Sequence, residues 1–170
     1  MNEELRDFSM SMLSPELRGA LQSGDIAVVA TTGISMNPYI YSHRGDRVVL
    51  KPVDTDTLEI YSVPLFVSSP GGKLILHRLI DKKDEVFIIQ GDGELSTQYV
   101  NAEQIVAEAM GFYRKGKYID CDAPSYKRYV RIWMKLRFIK PAWLFCRRAF
   151  RRIYRVVFRK TYWEKPAETK

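Results

Sequence analysis

The chain has 170 residues, 46% of them apolar and 28% charged, which is the balance of a folded globular protein with room for one ordinary core and an appendage. No window holds 18 uninterrupted apolar residues, so no transmembrane helix is expected, and the acidic start Asn2-Glu3-Glu4 lacks the apolar stretch of a secretory signal. The net charge of +7 conceals an asymmetry: residues 1–126 carry 12 Lys and Arg against 18 Asp and Glu, residues 127–170 carry 15 against 2. An acidic body is joined to a strongly basic tail.

Ser14-Pro15-Glu16-Leu17 reads as a helix start, with a capping hydroxyl, a proline at the first helical position and an acid at the positive end of the helix dipole. Gly24 ends the helix, giving about 15–22. Strands follow: Ile26–Thr32, then Arg47–Lys51 after the turn Arg44-Gly45-Asp46, then short pieces at Thr57–Tyr61 and Leu65–Ser68 around Pro64. Pro70-Gly71-Gly72 turns the chain into Lys73–Ile80, the longest strand expected; Asp81–Asp84 is a hairpin turn and Glu85–Gln90 pairs back until Gly91-Asp92-Gly93 breaks it. Residues 101–113 fit either a helix or strands, and Lys115-Gly116-Lys117 is a further hairpin turn. Closely spaced short strands with Gly and Pro turns indicate a mainly β, coiled all-β domain. The expected organisation is a β-rich domain over 1–122, a basic amphipathic helical extension over 123–163 and a tail over 164–170.

Between Asp122 and Glu164 the chain holds 13 Lys and Arg and no acid. Two helices broken near Pro141 fit this stretch. In the second, Arg147, Arg148, Arg151, Arg152, Arg155 and Arg159 fall on one side, and Cys146, Ala149, Phe150, Ile153, Val156 and Val157 on the other. Such a helix can dock on the acidic body, lie on an anionic membrane surface or bind nucleic acid phosphates. Trp133, Trp143 and Trp163, with nearby tyrosines, favour the membrane interface over nucleic acid. Cys121 and Cys146 share no metal-ligand spacing and are expected as free thiols, with neither metal nor cofactor.

The chemistry centres on Ser35, in Gly33-Ile34-Ser35-Met36-Asn37-Pro38 after the apolar run Ile26–Ala30. A serine hydroxyl needs a base to become a nucleophile. The chain has two histidines: His43 in a polar turn, and His77 in an apolar strand, where an imidazole is costly unless its nitrogens are paired. By alternation His77 shares a face with Ile75 and Leu79, and Leu74, Leu76, Arg78 and Ile80 share the other. Strand position alone leaves His77 as either a structural histidine or a base.

The segment Gly33-Ile34-Ser35-Met36-Asn37-Pro38 resembles the Gly-x-Ser-Met-x-Pro nucleophile box of the signal-peptidase-like serine peptidases. Gly45-Asp46-Arg47-Val48 resembles the Gly-Asp-x-Val segment that follows it, Leu76-His77-Arg78 the His-Arg box of the histidine-base branch, and Gly91-Asp92-Gly93 the Gly-Asp box, all in the family's order. The resemblance implies the coiled β fold shared with the self-cleaving repressors. It implies Ser35 as nucleophile, with its own amide as oxyanion donor, His77 as general base, Asp92 as the group orienting His77, and Met36 in the substrate cleft. It also implies a serine endopeptidase whose partner is a peptide or protein substrate. No membrane anchor precedes Ser35, and the Asn usual after the family's second Gly-Asp is absent, Asp92 being followed by Gly93-Glu94, which points to a cytoplasmic relative, peripheral at the inner membrane face. The rival classes are a self-processing regulator, for which about 25 residues ahead of the first apolar run leave too little for a DNA-binding domain, and a non-catalytic module that binds membrane or nucleic acid through its tail.

Overall fold

The computed structural model describes residues 7–9, 15–68 and 72–139, with positions 141, 142, 145, 146, 150 and 152. The chain divides into two compact units, Met1–Met134 and Lys135–Lys170. The first is mainly β, with a short helix near each end.

Its elements are β1 (Asp7–Ser9), α1 (Pro15–Gln22), β2 (Ala27–Ala30), β3 (Arg47–Lys51), β4 (Pro64–Val67), β5 (Leu74–Leu76), β6 (Arg78–Lys83), β7 (Val86–Gln90), β8 (Thr97–Asn101), β9 (Ile105–Arg114), β10 (Lys117–Asp120) and α2 (Pro124–Lys135). Seven strands form a curled half-barrel sheet in the order β1-β2-β3-β9-β4-β5, with β10 also on β9; all pairs are antiparallel except β1 with β2. Strands β6, β7 and β8 make a separate antiparallel sheet.

The first helix forms where its signals lie, Pro15 to Gln22, burying Leu17 and Leu21. Of the two forms that residues 101–113 fit, residues 105–114 take the strand: Ile105, Ala107 and Ala109 are buried on alternate positions, and pairing with β3, β4 and β10 overrides the helical spacing of Ile105, Val106, Ala109 and Met110. Other expectations need correction. Thr57–Tyr61 is not a strand; Tyr61 takes a left-handed φ of 77°, and its N–H donates to the Leu79 carbonyl at 2.8 Å. The long strand expected over Lys73–Ile80 is two, because the chain leaves one sheet at Leu76 and enters the other at Arg78. His77 is the single residue between, so simple alternation fails there. The second strand also continues to Lys83, with the turn at Asp84-Glu85.

The main core is formed by residues such as Leu17, Val29, Val48, Leu50, Leu65, Leu76, Phe112 and Tyr126; a second cluster holds Phe66, Leu79, Phe87, Ile89 and Val100. Helix α2 belongs to the first unit up to Met134. Despite its basic outer positions it buries Tyr126, Val130 and Met134, four residues apart along one face. Burying each such side chain contributes about 2 kcal/mol, so Val130→Asp would detach the helix.

A 3₁₀ turn, Leu136–Ile139, follows. Arg147, Arg148, Arg151, Arg155 and Arg159 lie outside the described residues; Arg152 is helical and exposed. Among the described residues no helix is long and apolar enough to cross a membrane, and no group of three or more His, Cys, Asp or Glu side chains is placed to hold a metal.

Candidate active site

Ser35 sits half-buried in the turn that follows β2. The turn is fixed at both ends. Thr31 donates its hydroxyl to the Asp46 carbonyl at 2.8 Å, and the Ser42 hydroxyl donates to the Gly33 carbonyl at 2.8 Å. Gly33 has a φ of 81°, which favours glycine, and the Asn37–Pro38 peptide is cis. Met36, Tyr39 and Ile40 are buried behind the serine, and the ring of Tyr39 meets that of Tyr126 edge-on at 5.1 Å. Neither the Ser35 amide nor its hydroxyl has a hydrogen-bond partner among the described residues.

Asp46, in the Gly-Asp segment, is 2% exposed. It accepts from the Tyr41 amide at 2.9 Å, the Lys115 amide at 3.3 Å and the Arg44 guanidinium. Burial alone would raise its pKa, but the hydrogen bonds from Arg44, Tyr41 and Lys115 hold the carboxyl below its ordinary range.

His77 lies across the same cleft. A cavity of about 240 Å³ is lined by Thr31, Ser35, Met36, Leu76, His77, Glu94 and Gln98, among others. His77 is 3% exposed, the Phe66 ring is edge-on to its imidazole at 6.1 Å, and its backbone N–H donates to the Pro64 carbonyl at 3.3 Å. Burial pushes its pKa down to about 4, against the opposing pull of Asp92 and Gln98. At neutral pH the ring is therefore uncharged, the state a general base requires. The other histidine, His43, lies in a short 3₁₀ turn beside Tyr41, outside the cleft lining.

The Gly91-Asp92-Gly93 turn joins the two halves. The Gly93 N–H donates to the Ser35 carbonyl at 2.7 Å. A β-carbon placed on Gly91 would stand 2.8 Å from the Ser35 carbonyl oxygen and 3.1 Å from Nε2 of His77. Glycine is thus required where the Ser35 turn and His77 approach each other. The Glu94 carboxylate lies 3.8 Å from Nε2 of His77, and burial raises its pKa.

Asp92 is fully buried, but both of its oxygens face Arg78: Oδ1 accepts from Nε at 2.8 Å and Oδ2 from Nη2 at 2.7 Å. Arg78 is itself fully buried, and its Nη1 donates to the Tyr61 carbonyl at 2.8 Å and the Tyr126 hydroxyl at 3.1 Å. Burial works against the guanidinium's charge, and Asp92 more than restores it. No hydrogen bond joins Asp92 to His77. Its effect on the imidazole is that of a nearby negative charge, and its hydrogen bonds hold the turn that carries Gly91 and Gly93. The sequence resemblance includes Arg78 in a box and Glu94 in a departure but gives neither a role, and it does not mark Tyr126 or Gln98 at all. Only Arg78 gave a signal, as a cation among the apolar residues of its strand face.

The cysteines are free: Cys121 is partly buried with its thiol pushed up to about 12 by burial, so it is no thiolate nucleophile, and Cys146 is exposed. No protein-family model and no curated protein matches the chain.

Proposed function

We propose that this chain is a serine endopeptidase with a Ser35–His77 dyad, built on the coiled β fold of the signal-peptidase-like peptidases. The observation that carries the reading is that Ser35 and His77, 42 residues apart in sequence, line one cleft with a neutral imidazole. The neutral ring takes the serine proton as Oγ attacks the scissile carbonyl, and returns it to the leaving amine. The Ser35 amide, which has no acceptor among the described residues, is available to the oxyanion. A water then releases the acyl group by the same route. Met36, Leu74 and Leu76 give the cleft apolar walls. Strand β5 ends the seven-stranded sheet, so an extended peptide has an edge to pair with.

The net charge of residues 127–170 supports a place at the inner face of an anionic membrane, checked by co-sedimentation on anionic against neutral vesicles. The activity is tested by incubating purified wild type, Ser35→Ala and His77→Ala with candidate precursor peptides. Cleavage by the wild type alone is expected; equal cleavage by either variant contradicts the dyad.

A further inference from the structure

A neutral imidazole has one N–H, and its position decides which nitrogen can accept a proton. Nδ1 of His77 is buried and has no hydrogen bond of good geometry; Oε1 of Gln98 is in the same condition. Both side chains line the cleft. One is a potential donor and the other an acceptor, and two complementary buried groups without other partners satisfy each other. Gln98 is held in β8, where it pairs with Ile89 of β7. Neither of the acids near the ring serves Nδ1: Asp92 is bound to Arg78, and Glu94 lies on the Nε2 side at 3.8 Å.

We propose that Gln98 is the positioning residue of this site: its side-chain carbonyl accepts from Nδ1–H of His77 and fixes the tautomer whose free Nε2 lone pair faces the Ser35 turn. This deepens the Ser35–His77 reading, on which its catalytic consequence rests. An amide takes the place expected of a carboxylate, and it orients the ring without adding a charge. The imidazole pKa stays near 4 because burial outweighs the opposing pull of Asp92 and of the Gln98 amide.

The test is long-range ¹H–¹⁵N NMR of the ¹⁵N-histidine-labelled full chain at neutral pH, with His43→Gln assigning the His77 signals. The wild type is expected to show His77 protonated at Nδ1. Gln98→Leu should lose that preference, and labelling of Ser35 by a fluorophosphonate should slow at least about tenfold. Gln98→Glu should restore the Nδ1–H form and raise the His77 pKa, moving the acid limb of labelling to higher pH. A merely structural Gln98 would lower thermal stability and leave the tautomer unmoved. A wild-type His77 protonated at Nε2, or a tautomer unchanged in Gln98→Leu, overturns the proposal. The NMR result is read without turnover, so an inactive Ser35 would defeat the peptidase reading while leaving the Gln98–His77 bond to stand or fall by itself.

Discussion

Two Gly-Asp turns flank the cleft, and they solve the same problem differently. Gly45-Asp46 closes the loop that carries Ser35, and Gly91-Asp92 faces His77. Both aspartates are almost completely buried and both bind an arginine. Asp46 relies on two backbone amides and on Arg44, which is only two residues away and 23% exposed. Among the described residues Asp92 relies on Arg78 alone, 14 residues distant, in a pair almost wholly shut off from water. The first is a local clamp with one side in solvent. The second ties β6, the glycine turn and, through Tyr126, helix α2 into one buried network. A buried acid can therefore act on His77 indirectly, by fixing the turn that approaches it.

The largest expected effect breaks the second clamp. Asp92→Ala leaves a buried, unpaired guanidinium and should cost about 3–5 kcal/mol of unfolding free energy in denaturant titration. Replacing both partners, Arg78→Met with Asp92→Leu, should cost much less, because no charge is then stranded. A double variant as unstable as Asp92→Ala would show that the pair is not the source of the loss.

Next in size is the effect of pH. The His77 pKa falls from 6.5 to about 4 on folding, so the unfolded chain protonates first as pH drops. Stability is complete above the unfolded value and is lost as pH falls from 6.5 toward 4, by up to about 3 kcal/mol. His77→Gln should remove that slope. Asp46 acts in a lower window: its folded carboxyl is held below 3.8, so its contribution is present above that value and fades as pH falls through the folded pKa. Thermal unfolding across pH separates the two.

Gly91→Ala comes third. Its new methyl meets the Ser35 carbonyl, and the overpacking should cost about 1–3 kcal/mol with a larger loss of Ser35 reactivity than of stability. The smallest effect is Asp46→Ala, about 1–2 kcal/mol, because Arg44 can turn to solvent. A cost equal to that of Asp92→Ala would erase the distinction between the clamps.

Local signals in the sequence were legible where local physics decides. Pro15, Gly24 and the β-branched runs marked α1, β2 and β3 because capping and strand preference act over a few residues. The run around His77 was not, because a strand that changes sheets keeps its composition and loses only its alternation. Helix α2 reads as part of the basic tail because its charge is conspicuous, while the stripe of Tyr126, Val130 and Met134 that it buries within the first unit is sparse. Ser35 and His77 could be named through a resemblance of short boxes. Their shared cleft is a tertiary fact, and so is the Arg78–Asp92 pair, since nothing local says which buried acid meets which buried base. Gln98 carries no sequence signal beyond being polar in a short strand.

The central claim is that His77 activates Ser35. It is tested most directly by treating the full chain with a fluorophosphonate at neutral pH and reading the adduct by intact mass and peptide mapping. One adduct is expected, on Ser35, absent in Ser35→Ala and at least about a hundredfold slower in His77→Ala. An unlabelled wild type, or a His77→Ala variant labelled at the wild-type rate, would contradict it.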